Sequence, residues 1–235
     1  MKLRTTLLLL ATGLFGLVGS ALAEPQTFDT RPAYSGSVFT FNGGTFGQTF
    51  TGVYSVQSMT YNFFAGAGGS SAATNLSATF GQWNGSSFVG GTTVSFGTIN
   101  IPASNSGWAP LPNNTSPGGP YNTYAYTFDL TTLVSPMISA TYGYNTSPGN
   151  TYALMLTDLT GGTNLGLGVT NIDAFAYGAT NIGFNDWTFS QISVFTTPVP
   201  EASTVASLAA LVLVAGLVAL RLRQRRALQP APIAA

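Results

Sequence analysis

Tyr124-Ala125-Tyr126-Thr127-Phe128-Asp129-Leu130 alternates large apolar side chains with small or polar ones at every step. A period of two is the pleat of a β-strand, because successive side chains leave opposite faces. The stretch therefore predicts a strand with one face buried and the other wet. The same alternation recurs on both sides of it. Met59, Tyr61 and Phe63 alternate with Thr60 and Asn62, and Leu76, Ala78 and Phe80 with Ser77 and Thr79. Tyr152, Leu154 and Leu156 form a further set, and Trp187 to Phe195 reads as a last strand.

Turn signals separate these runs. Gly-Gly-Thr begins at Gly43, Gly90 and Gly161, and Thr-Ser-Pro-Gly begins at Thr115 and Thr146. Gly supplies positive φ and Pro presets its own φ, so both serve chain reversal. No amphipathic helix stands out before Val205, and the longest loop is expected over Pro102 to Pro120. Many short strands without helices between them predict an all-β chain, an antiparallel β-sandwich spanning residues 24–195.

Composition narrows what such a body can do. Every aromatic residue except Phe15 falls between Glu24 and Pro198, which is ample material for a core. The same interval carries one base, Arg31, against Glu24, Asp29, Asp129, Asp158, Asp173 and Asp186. Phosphate neutralisation needs clustered Lys and Arg, so a nucleic-acid partner is excluded. The chain has no Cys and no His. Disulfides, thiol catalysis, imidazole bases and the commonest metal ligands are therefore absent.

The two ends read as addresses rather than fold. Lys2 and Arg4 precede an apolar run from Leu7 to Val18, and Ala21-Leu22-Ala23 supplies small residues for signal peptidase. Residues 1–23 are thus expected to be a signal peptide cut after Ala23. At the other end, residues 196–202 form a Pro-punctuated linker. Residues 203–220 follow without a charge, roughly 27 Å as a helix at about 1.5 Å per residue, close to a ~30 Å hydrocarbon core. Arg221, Arg223, Arg225 and Arg226 come next, in a tail of residues 221–235. Such a cluster is held on the cytoplasmic side. The expected span is therefore a single transmembrane helix whose basic stop faces inward, with the body outside.

Val199-Pro200-Glu201-Ala202-Ser203-Thr204, an apolar stretch and an Arg cluster together resemble the PEP-CTERM sorting tail. Ala202 stands where that family usually has a second Pro, and residues 227–235 run on past the usual end. The resemblance implies an exported protein of an exopolysaccharide-producing Gram-negative bacterium. It also implies an exosortase-type membrane protease as partner, with Val199, Pro200 and Glu201 as the sorting motif. By the same resemblance the chain is anchored in the inner membrane during sorting, then passes to the outer surface or extracellular matrix. Gly47-Gln48-Thr49-Phe50, Gly81-Gln82-Trp83-Asn84-Gly85 and Gly149-Asn150-Thr151-Tyr152-Ala153-Leu154 loosely resemble jelly-roll modules found ahead of such tails.

Chemistry-bearing residues are few. A glycosidase needs two carboxyl groups a few ångströms apart, and Asp158, Asp173 and Asp186 are the available acids. All three lie among turn residues, where Asp bonds its own backbone. No Asp-rich loop has calcium-ligand spacing. No catalytic residue, metal site or cofactor is assigned. Trp83, Trp108 and Trp187 offer flat faces for a sugar. Trp83 and Trp187 lie on or next to strands and read as core, whereas Trp108 lies in a loop and reads as the exposed candidate. The residues favour a structural or adhesive surface protein associated with exopolysaccharide. The alternative is a carbohydrate-binding module of the extracellular matrix, and a hydrolase ranks behind both.

Overall fold

The computed structural model describes residues 23–66, 70–111, 122–181, 186–198, 211–212 and 214–221. Two compact units emerge, and Glu24–Pro198 is the larger. It is built from antiparallel strands: β1 (Gln26–Phe28), β2 (Tyr34–Thr40), β3 (Thr45–Phe50), β4 (Ser55–Ala65), β5 (Thr74–Gln82), β6 (Val94–Ile101) and β7 (Ala109–Pro110). After them come β8 (Asn122–Asp129), β9 (Ile138–Ser139), β10 (Gly143–Asn145), β11 (Tyr152–Asp158), β12 (Leu165–Thr170) and β13 (Phe189–Phe195).

The strands divide between two sheets. One runs β3-β11-β5-β6. The other is organised around the long strand β4, which pairs with β13 and β12 along one side and with β8 and β10 along the other. Outside them, β2 pairs with β12, β1 with β13, β7 with β8 and β9 with β10. Apart from the consecutive pairs β5–β6, β7–β8 and β9–β10, neighbours in each sheet are far apart in sequence, because the chain repeatedly passes from one sheet to the other.

A main core joins them, and Tyr34, Phe64 and Leu111 form a small second cluster. Phe50, Leu76, Phe80, Leu154 and Leu156 come from the four-stranded sheet, and Met59, Tyr61, Phe63, Phe128, Phe189 and Ile192 from the larger one. Each such side chain contributes about 1.5–3 kcal/mol on burial. The alternating sets quoted above supply these inward positions, with Tyr124 and Tyr126 half-buried at the margin. Outward partners are polar, as where Thr60 and Thr127 hydroxyls meet at 2.9 Å across β4 and β8.

Three expectations shift in detail. Leu130 is buried but begins a 3-10 turn, Leu130–Thr132, capped by the Asp129 carboxylate accepting from Thr131 N at 2.9 Å. The segment expected as one loop over 102–120 contains β7, which pairs with β8. The last strand starts at Phe189, and Trp187 forms a lone bridge with Val169.

The smaller unit is Met1–Ala23 with Val199–Ala235, of which Ala23 and, as helix, residues 211–212 and 214–221 are described. Among the described residues no helix is long and apolar enough to cross a membrane. Half of the expected span 203–220 and nearly all of the expected signal peptide 1–23 lie outside them.

Candidate functional site

Of the addresses, Val199, Pro200, Glu201, Arg223, Arg225, Arg226 and Ala21 lie outside the described residues. Ala23 is half-buried just before β1, and Arg221 is an exposed helical residue.

The body offers two surfaces and one interior polar cluster. The first surface is the outer face of the four-stranded sheet. Strand register places Thr45, Thr157, Ser77 and Thr98 in one row across β3, β11, β5 and β6. A second row is Gly47, Met155, Thr79 and Ser95, and Asn75 faces Asn100 beyond the first. Neighbouring strands lie about 4.8 Å apart, and same-face residues about 7 Å apart along each strand. The face is therefore uncharged, its hydroxyl and amide groups interrupted by Gly47 and the buried, apolar Met155. Some already bond one another, Thr45 to Thr157 at 2.9 Å and Asn100 Nδ2 to Asn75 Oδ1 at 2.9 Å. The one carboxylate of these strands, Asp158, is turned away into the strand-end turns. It accepts from Thr160 N at 2.9 Å and from Gly161 N and Gly43 N at 3.0 Å. The turn role expected of Asp158 is thus what it performs.

The second surface is the margin of the core beside β8. Trp108 and Tyr124 rings lie 6.5 Å apart, Tyr126 stands 4.9 Å from Phe128, and Phe96 of β6 lies 5.2 Å from Phe128. Trp108 is half-buried, with its indole fixed by Nε1 donating to Pro102 O at 3.0 Å. Trp83 packs edge-on to Phe88 at 5.2 Å, and Trp187 is wholly buried. The three tryptophans therefore do not share a surface patch: Trp187 belongs to the core, and Trp83 faces its own turn.

The interior cluster centres on Asp186, which the sequence reading places in a turn. That reading is corrected. Asp186 is 0% exposed, and both its oxygens are engaged. Oδ1 accepts from Gln48 Nε2 at 3.0 Å, and Oδ2 accepts from Ala174 N and Phe175 N, each at 2.9 Å. Burial pushes its carboxyl up to about 6 even though these donors pull the other way. Sealed from solvent, it cannot meet a polymer. Asp173 is exposed, and its charge adds to the rise. Gln48 escaped sequence reasoning altogether. Its Oε1 accepts from Trp187 N at 3.3 Å, so one buried amide ties β3 to the entry of β13. Only a Gln at an inward strand position hints at such a role. Among the described residues no three acidic side chains converge as a cation would need.

No family model, curated protein or solved structure matches this chain.

Proposed function

We propose that the chain is an exported cell-surface protein. In this reading it is sorted by a PEP-CTERM-like tail, and its body is a structural or adhesive element associated with exopolysaccharide. One geometric observation carries the body's part: the uncharged outer face of the four-stranded sheet, with its rows of hydroxyl and amide side chains. Hydrated neutral polymers exchange hydrogen bonds with such a face at little desolvation cost. The strand order also supports a jelly-roll reading. Numbering the eight principal strands β2, β3, β4, β5, β6, β8, β11 and β12 in sequence, the sheets read first-eighth-third-sixth and second-seventh-fourth-fifth.

The order of segments supports the address. Signal peptidase would cut after Ala23. Residues 203–220 would hold the chain in the inner membrane with Arg221, Arg223, Arg225 and Arg226 inside. An exosortase-type protease would then act near Val199-Pro200-Glu201 and release the body to the outer surface or matrix. Mass spectrometry of the surface form tests this, with a new C-terminus near Pro200 expected. A mature protein that retains Arg226 overturns release and makes the tail a permanent anchor.

A second reading, a carbohydrate-binding module, is favoured by the half-buried Trp108 and Tyr124 at the margin of the core. The two readings separate on a polysaccharide retention assay. Saturable retention that Trp108→Ala abolishes supports the module. Weak retention indifferent to Trp108 supports the structural element.

A further inference from the structure

Residues 177–181, which follow β12, lie along the outer edge of β3, with Thr180 bridging Gln48. Thr51 N donates to Tyr177 O at 2.6 Å, Thr49 N to Ala179 O at 2.8 Å, and Asn181 N to Gly47 O at 2.9 Å. Side chains reinforce the seam. Thr49 Oγ1 donates to Ala179 O at 2.8 Å, and Asn181 Oδ1 accepts from Gly47 N at 2.8 Å. The approach is so close at Gly178 that a Cβ there would stand 1.9 Å from Thr49 O. The chain entering this segment is anchored by the buried Phe175 ring, 5.7 Å from Phe50, and its backbone is held by the Asp186 carboxyl, to which Ala174 N and Phe175 N both donate.

We propose that residues 171–181 form a proton-tightened strap over the edge of β3, with the Asp186 carboxyl as its latch. The idea stands on the fold alone and is independent of the surface reading above.

What faces the latch is neutral or of like charge. Gln48 of β3 and the two strap amides are neutral donors, and Thr170 of β12 meets the Asp186 backbone, its hydroxyl accepting from Asp186 N at 3.1 Å. Trp187 follows it, and residues 182–185 are Ile, Gly, Phe and Asn, which contribute no titratable group. Asp173 of the strap opposes ionisation. Arg31 is the one base between Glu24 and Pro198, and it is engaged by Asp29 at 2.6 Å. An ionised Asp186 thus loses its hydration without gaining a cation. Burial outweighs the three donors, which is why the carboxyl titrates near 6 rather than at its ordinary value of 3.8.

Opening the strap rehydrates the carboxyl and returns it toward that ordinary value. The closed state therefore holds the proton more tightly than the open one. By linkage, closure is strongest in acid and weakens as pH rises through about 6. Two pK units set the limit of the effect, on the order of a hundredfold in the opening equilibrium. Release uncovers the N–H groups of Gly47, Thr49 and Thr51, the unpaired row that lets a sheet edge accept another strand.

Amide hydrogen exchange on the full chain from pH 5 to 8, with the intrinsic pH dependence divided out, tests the strap. Protection at Thr49, Thr51 and Phe175 is expected to fall about tenfold over this range, the rest of the change lying below pH 5, and to stay below that of Ser77 and Thr79 in β5 throughout. Asp186→Asn is expected to flatten the fall. Strap protection that is constant or rises with pH overturns the proposal, as does strap exchange that coincides with β5 at every pH. Should Asp186→Asn fail to fold, a carboxyl carbon titration of wild type by NMR decides. A midpoint near 6 that moves the Ala174 and Phe175 amide resonances sustains the latch, and a midpoint near 4 removes it.

Discussion

The two edges of the four-stranded sheet are managed in different ways. At one, β3 is covered by the protein's own chain, with strap amides and carbonyls meeting Gly47, Thr49 and Thr51. At the other, β6 pairs with β5 alone among the described residues. There the strand itself is broken. Gly97 has φ of 71°, and the pairing register shifts between Ala78 and Thr79. A bulge twists an edge and spoils it as a template for another strand, so it defends without needing a cover. The lesson is that a covering loop is reversible and can be tied to a titratable latch, whereas a bulge is permanent and local.

The largest way to break this contrast is to remove what the strap closes onto. Trp187 is wholly buried and its Nε1 donates to Gly47 O at 2.8 Å, the carbonyl that also accepts from Asn181 N. Trp187→Ala is expected to cost about 3–5 kcal/mol by urea unfolding, because it combines a large cavity with a lost hydrogen bond. A loss below about 1 kcal/mol would mean that the core does not depend on this junction.

Next in size is pH. Folded Asp186 keeps its proton up to about 6, while the unfolded chain releases it near 3.8. Between these values the folded state binds more protons, so stability is fully present below the lower value and is lost as pH rises through the upper one. The decline across this window is expected to reach about 3 kcal/mol at most. Chemical unfolding at pH 4 and pH 7.5 measures it, and a rise in stability over that interval would contradict the assignment to Asp186.

Gly178→Ala sharpens the comparison by striking one edge only. Its Cβ would meet the backbone oxygen of Thr49, which has no free end to swing aside. We expect about 1–3 kcal/mol of destabilisation, with amide protection lost first at Thr49 and Thr51. Gly97→Ala is the matching test at the other edge, and the smallest. It leaves open space around the new methyl, so the positive φ alone opposes it, at about 1 kcal/mol. Equal costs at the two glycines would erase the distinction between a covered edge and a bulged one.

The fold was legible where side chains report their own position. Met59, Tyr61, Phe63, Leu76, Phe80 and Phe128 alternate with polar neighbours, and each is buried as its strand requires. The strap was not legible, because it depends on partners remote in sequence. Asp186 sits among residues typical of turns, and its burial follows from Gln48, 138 positions away. Trp108 reads as an exposed loop residue but is half-buried, since its loop carries a short strand paired with β8. Periodicity speaks of a residue's own backbone, and it is silent about which distant group will arrive opposite.

The pairing of β1 with β13, Gln26 opposite Val194 and Phe28 opposite Ile192, has a consequence for timing. The first strand has no sheet to join until the last has been delivered, and β2 waits in the same way for β12. Contacts so remote in sequence make assembly late and slow. A chain threading a membrane channel from its N-terminus would stay extended until almost the whole body had passed, and only then condense. The topology would thus delay condensation of such a chain until its last strands were delivered.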